Sequence, residues 1–396
     1  MLDMIGVGPF ITLPLILTAM GGPQAMLGWV LGALLALCDG LVWAELGAAM
    51  PLAGGSYAFL RRIYSGVDGR GKLGRFLAFL FIFQLSFSAP LSVASGCIGL
   101  SQYAGYLWPG LRGHTGSRML HVGAYSVGVS AGPGTIVAIA AVLVAVALLY
   151  RGLASVRMIT AAMWCAVMAL VGWILVAGLM HGELRRAFDF PAGAFALTPA
   201  FFTGLGSAML IATYDYWGYY NITFLGGEVK DAARTVPRAI LISIGLVAGI
   251  YLAMNVAVIA VLPWRGLVGL GDLNARRAVI SLFMETAYGA RLGPAAGKLA
   301  AVLVMVTAFA SVFSLLLGYS RIPYAAARDG NFFRVFGRLR VRAGEGDGFP
   351  YVSLLALGGM AAVFCFFSLW IRIDGRSHRS AHPPTVSEAP RSFHYG

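Results

Sequence analysis

The chain has 396 residues, 59% of them hydrophobic and only 11% charged, with a formal net charge of +13. Soluble domains carry about 25% charged residues, so the composition excludes a water-soluble globule and indicates a polytopic membrane protein. Nor is the basic balance a nucleic-acid signature, because Lys and Arg cluster in short loops between apolar runs, as cytoplasmic loops require.

Runs of roughly 17–25 apolar residues span a bilayer. They predict nine helices, over residues 4–20, 25–50, 76–108, 135–150, 156–180, 201–225, 239–262, 298–320 and 350–371. With the N-terminus in the cytoplasm, the inside loops hold Arg61, Arg62, Arg70, Lys72, Arg75, Arg151, Arg157, Lys230, Arg234, Arg238 and the arginines from 321 to 342. These outnumber the basic residues of the other loops, such as Arg185, Arg186, Arg265, Arg276, Arg277, Arg291 and Lys298. The excess predicts a multi-pass protein of the cytoplasmic (inner) membrane, N-terminus inside. A signal peptide does not fit the opening, which lacks a basic n-region and carries Asp3. Beyond Ile371 the chain becomes a polar tail, 372–396, rich in Ser, Pro, His and Arg. A displaced reading frame, a truncated product and an artificial appendage all fit this change.

Two of the apolar runs are interrupted. The first interruption is Gly6-Val7-Gly8-Pro9. Proline removes a donor and disfavours helix at the residue before it, so a half-helix is predicted from Phe10 with free amides at its start. Those amides and the positive helix end suit a carboxylate; close helix packing is the alternative use of the glycines. The second interruption, Tyr214 to Asn221, carries Asp215, the only acid of the sixth run. A carboxylate inside a membrane costs about 2.5–3.5 kcal/mol on insertion scales and marks a functional site by default. Asp215 suits a substrate ammonium or a coupling proton; an interfacial position beside Tyr214, Tyr216 and Trp217 is the other reading. Paired interruptions in corresponding halves point to the binding site of a secondary transporter.

Polar stripes repeat on the third and eighth runs. Ser88, Ser92, Ser95 and Gly99 share one helical face, and so do Thr307, Ser311, Ser314 and Gly318. Such faces glue helices together or line a shared cavity. In the second run, Glu45 lies near the inner end and suits a gate or a loop contact, while Asp39 has no evident partner. Catalytic and cofactor motifs are missing. The six histidines fall in loops or the tail, the four cysteines sit in apolar runs without metal-type pairing, and no HExxH, Walker loop or CxxC occurs.

Four ordered motifs carry a resemblance. Met4-Ile5-Gly6-Val7-Gly8-Pro9-Phe10 is followed by Glu45-Leu46 with Pro51-Leu52-Ala53-Gly54-Gly55-Ser56-Tyr57. Then come Gly226-Gly227-Glu228-Val229-Lys230-Asp231 with Pro237-Arg238-Ala239-Ile240, and Ser320-Arg321 with Ala327-Arg328-Asp329-Gly330. Together they resemble the amino acid–polyamine–organocation superfamily of secondary transporters over residues 1 to about 370. The resemblance implies an all-α, leucine-transporter-type inverted repeat with helices one and six broken. Residues 1–181 would form the first repeat, 182–371 a second and incomplete one, and 372–396 an appended tail. It further implies a permease moving amino acids by alternating access, proton-coupled or by exchange. Helices one, two, six and seven would rock against three, four, eight and nine. The amides near Gly6 and Gly8 would take the substrate carboxylate. Carbonyls at Ile5 and around Tyr214 to Trp217 would take the amine.

The expected substrate site therefore comprises Ile5, Gly6, Val7, Gly8, Ser88, Ser92, Tyr214, Asp215, Tyr216, Trp217, Gly218 and Ser311, with Glu45 and Asp215 in gating or coupling. Several relatives keep a lysine on the fifth helix where Met163 stands here, a departure from the family pattern. A polyamine is the second substrate class, relying on Asp215 and aromatic faces. An inactive truncated permease and a non-transporting sensor are further alternatives. Partners are the small-molecule substrate and the bilayer, with no metal, cofactor or nucleic acid.

Overall fold

The computed structural model describes residues 2–52, 54–66, 71–113, 116–122, 125–150, 153–269, 278–340 and 348–371. The tail 372–396 and the loop residues Arg70, Arg151, Arg276, Arg277 and Arg342 lie outside these ranges. The protein is an α-helical polytopic membrane protein. Among the described residues, six helices are long and apolar enough to cross a bilayer. They are α2 (Met26–Ala49), α4 (Lys72–Leu107), α5 (Pro133–Tyr150), α6 (Leu153–His181), α9 (Ala232–Val261) and α11 (Val279–Tyr319). Two shorter apolar helices, α1 (Pro9–Met20) and α13 (Tyr351–Phe364), and the 18-residue α8 (Pro199–Tyr216) account for the remaining apolar runs. Surface helices α3 (Ser56–Ile63), α7 (Leu184–Ala187), α10 (Trp264–Gly269) and α12 (Arg321–Arg328) connect them.

Apolar side chains face outward as well as inward, which is the pattern of a protein dissolved in lipid. Leu34, Phe76, Phe83, Leu91, Ile136, Leu143, Leu179 and Leu210 are all more than half exposed. With lipid as solvent, small residues do the work of helix association. On α2 the buried stripe Gly28, Gly32, Ala36, Gly40, Ala44 and Gly47 recurs about every fourth residue. A Cβ at Gly32 would stand 3.1 Å from the Ala212 methyl of α8, and one at Gly47 would stand 2.7 Å from Val236 of α9. Most glycines of this helix are therefore packing devices.

Two hydrophobic cores result. One joins α1, α2, α6, α8 and α9 around Trp29, Tyr216 and Tyr251. The other joins α4, α5 and α13 around Ile82, Val93 and Phe313. Helix α11 serves both, giving Ala300 and Val304 to the first and Val312 and Leu316 to the second.

Three of the expected runs end differently. The residues before 298 are not loop, because α11 starts at Val279 and turns at Gly289, whose φ of 67° favours glycine. That run carries Arg291, Pro294 and Lys298, which broke its hydrophobic pattern. The last run is helical only to Phe364; Phe367–Ile371 forms strand β3. This strand pairs antiparallel with β2 (Tyr125–Ala131), which pairs with β1 (Gly116–Val122). The third departure, at the end of α8, belongs to the site.

Candidate functional site

Helix α1 begins where the sequence requires. Pro9 occupies its first turn and Gly8 is its N-cap residue, because proline has no amide to lose there. Residues 2–8 form a non-helical turn that closes with the Gly6 amide donating to Met4 O at 2.9 Å. Side chains from three helices hold the carbonyls of this stretch. Tyr251 Oη of α9 donates to Met4 O (2.5 Å), Tyr103 Oη of α4 to Phe10 O (2.9 Å) and Ser311 Oγ of α11 to Asp3 O (3.3 Å). Within the described residues the amides of Val7 and Gly8 have no partner. A helix N-terminus with free amides favours an anion.

Helix α8 starts at Pro199, with the Thr198 hydroxyl accepting from the Phe201 amide at 3.3 Å. It runs through Tyr216 and stops, so Tyr214, Asp215 and Tyr216 occupy its last turn rather than an unwound segment. The chain unwinds at Trp217 and Gly218 and continues as a 3-10 turn, Tyr219–Phe224. At φ 120° Gly218 adopts backbone that L side chains rarely take, and a Cβ there would meet Asp3 Oδ2 at 2.8 Å. Tyr216 Oη donates to Trp29 O at 3.2 Å, and the rings of Trp29, Tyr216 and Tyr251 pack within 5.2–5.7 Å of each other. This cluster anchors the end of α8 against α2 and α9.

The two breaks face each other. A Cβ on Gly8 would overlap Asp215 Oδ1 and stand 3.1 Å from Asp215 Cγ. Asp215 is 5% exposed. Its Oδ2 accepts from Thr12 Oγ1 at 2.6 Å, while Oδ1 is buried without a partner. Around this meeting point lies a cavity of about 680 Å³. Of the expected site residues, Gly6, Val7, Gly8, Ser88, Ser92, Tyr214, Asp215, Trp217, Gly218 and Ser311 all lie on its wall.

Three expected residues are not on that wall. The Ile5 side chain is fully buried. Tyr216 is turned into the aromatic anchor, and Glu45 is exposed on α2. Thr307 also falls outside the wall, its hydroxyl donating back to Leu303 O at 2.9 Å as membrane threonines often do. The stripe on α4 therefore lines the cavity with Ser88, Ser92 and Ser95, whereas that of α11 contributes only Ser311.

Two further wall residues are acids that the sequence reading left unassigned. Asp3 accepts from Asn221 Nδ2 of the second break. Asp39 accepts from Tyr219 Oη (2.5 Å) and from Trp43 Nε1 one turn along α2 (3.0 Å). The i,i+4 spacing of Asp39 and Trp43 was a usable signal for that contact. No Lys, Arg or His is found among the described residues that line the cavity. Within the described residues, too, no group of three or more His, Cys, Asp and Glu is placed to hold a metal.

Broken helices around a cavity that combines a largely apolar wall with free amides and carboxyls, in a chain that turns apolar side chains to lipid, define a multi-pass membrane transporter of small molecules. Comparison with known proteins agrees: the model of the family described as "Amino acid permease" matches residues 1–377, and the chain belongs to that family. It is 29% identical to an uncharacterized transporter of Mycobacterium tuberculosis (strain H37Rv), over 91% of this chain and 70% of that protein. Cationic amino acid transporter 4 of Mus musculus is 26% identical over 91% of this chain and 52% of its own length. A serine/threonine exchanger of Bacillus subtilis is 26% identical, over 82% and 64% respectively.

Proposed function

We propose that the chain carries amino acids across the cytoplasmic membrane by alternating access, with its N-terminus inside, driven by a proton gradient or by exchange. The observation that carries this reading is the pair of unpartnered amides, Val7 and Gly8, at the start of α1 on the cavity wall. They suit the carboxylate, while the backbone carbonyls around Tyr214 to Trp217 suit the amine. Residues 1–181 and 182–371 act as two repeats. The core of α1, α2, α8 and α9 moves against α4, α5, α11 and α13. Similarity to a serine/threonine exchanger supports exchange as the driving mode.

A polyamine is the second reading. Asp3, Asp39 and Asp215 in one cavity, with no cation among the described residues that line it, favour a positively charged substrate, and Trp43 supplies an aromatic face.

Uptake by the purified chain in proteoliposomes tests both. Labelled amino acids and polyamines are offered with and without an inward proton gradient, and with and without unlabelled amino acid inside. Saturable amino acid uptake stimulated by either the gradient or the internal pool is expected. Uptake of polyamines alone would replace the first reading by the second, and no uptake from demonstrably folded protein would sink both.

A further inference from the structure

The free amides of α1 and the unpartnered oxygen of Asp215 occupy the same place. A Cβ on Gly8 would overlap Asp215 Oδ1, so any anion drawn to the Val7 and Gly8 amides arrives beside this carboxyl. Two carboxylates held side by side at a buried position do not both stay ionised, and the pair retains one proton. Thr12 Oγ1 already donates to Asp215 Oδ2, which leaves Oδ1 as the atom able to carry that proton and donate it.

Among the described residues, nothing that lines the cavity with Asp215 removes the conflict. The opening turn brings Asp3 and α2 brings Asp39, both acids. From α9 comes Tyr251, whose hydroxyl is taken by Met4 O and lies 3.4 Å from Asp215 O. From α8 itself come Tyr214 and Tyr216; α4 offers serines and Gln84, and α11 offers Ser311 and Tyr319.

We infer that Asp215 and the carboxylate of a bound amino acid share one proton, so that the substrate and the proton enter the cavity, and cross, together. This rests on the amino acid reading above and adds the identity of the coupling group. The proton comes from bulk water, sits on Asp215 Oδ1 in the loaded state and is released to water when the amino acid leaves. A polyamine would do the reverse, since an ammonium prefers ionised Asp215 and its binding would expel the proton. The sign of the proton linkage at one residue therefore distinguishes the two substrate classes.

The test uses the full chain in lipid nanodiscs. The proteinogenic L-amino acids and spermidine are first screened by thermal shift at about pH 5.5 and pH 7.5. Binders are then titrated calorimetrically across that range in buffers of different ionisation enthalpy, which counts protons. The expected result is amino acid affinity that falls about tenfold per pH unit once Asp215 ionises, with about one proton taken up per molecule bound.

Asp215→Asn, whose amide donates at every pH, should bind with flat pH dependence and no proton uptake. Thr12→Val, which removes the donor to Oδ2, should move the midpoint to higher pH while keeping the slope. Amino acid binding to the unmodified chain that is flat with pH and takes up no proton overturns the shared proton but leaves the amino acid reading standing. Retention of proton uptake in Asp215→Asn also overturns it. No shift by any amino acid at either pH, or proton release with spermidine alone, overturns the amino acid reading as well.

Discussion

At the first break the chain leaves the helix through glycine and proline and offers no charged side chain between Gly6 and Pro9. At the second it leaves through an aromatic stretch and offers Asp215 and Asn221. Hydroxyls from three different helices hold carbonyls flanking the first break, those of Asp3, Met4 and Phe10, while among the described residues the amides of Val7 and Gly8 have no partner. The second break is held by the Trp29–Tyr216–Tyr251 cluster, and its free polarity is the Asp215 carboxyl Oδ1 together with the Asn221 amide Oδ1. Fixed backbone polarity thus faces a group that can change charge. Substitutions at the first should act by shape and those at the second by charge.

The largest effect is expected at the point of contact. Gly8→Ala places a methyl group against Asp215, and overpacking of a well-packed site costs about 1–3 kcal/mol. Saturation uptake should show about 10–100-fold weaker substrate affinity, with the detergent-extracted protein still monodisperse. Unchanged affinity would mean that the two breaks do not meet as described. Gly218→Ala should come next. It forces a left-handed φ on alanine, at about 1–3 kcal/mol, and presses on Asp3. It should lower the melting temperature as well as uptake, whereas Gly8→Ala should chiefly lower affinity. Equal thermal losses would erase the distinction between a break that binds and one that supports.

Much of this was legible in the chain itself. Gly8-Pro9 places the start of α1 within one residue of the expected Phe10, because a missing amide and a missing Cβ act locally. The lipid-facing runs are legible for the same reason, since each spans by its own composition. The end of α8 was less so. Tyr214 and Asp215 were expected in the unwound segment, yet the helix continues through Tyr216 because that ring finds Trp29 and Tyr251 on two other helices. Asp3 served only as an argument against a signal peptide, and its contact with Asn221 joins residues 218 positions apart. Such contacts depend on how helices dock, and no local pattern announces them. The matching stripes on α4 and α11 show the same limit, because the first lines the cavity with three serines and the second with Ser311 alone.

A milder test concerns the backbone ties of the first break. Tyr251→Phe removes the donor to Met4 O while keeping the ring that anchors Tyr216. The loss of one hydrogen bond is worth about 0.5–1.5 kcal/mol net. Affinity should fall less than for Gly8→Ala, with little change in melting temperature. A large thermal loss would place Tyr251 in the anchor of the second break instead.

The smallest effect is expected far from both breaks, between α7 and α8, where Arg265 of α10 donates to the Asp189 carboxylate and stacks on Trp264 at 4.6 Å. The hydrogen bond from the Arg265 guanidinium, ahead of its charge, holds the Asp189 carboxyl below the usual carboxylate range. A lowered folded-state pKa contributes stability that is complete above the ordinary value, about 3.9, and is lost as pH falls through the lowered one. Both side chains are about half exposed, so water and salt screen the pair. Arg265→Ala should therefore lower the melting temperature only slightly at neutral pH, and the difference from the parent chain should vanish in acid below the lowered value. Substrate affinity should not change at any pH, because the pair touches neither break. A thermal difference that grows on acidification would reverse the assignment of this ion pair. An affinity change would show that this loop communicates with the cavity, and the contrast between the two breaks would then no longer account for binding by itself.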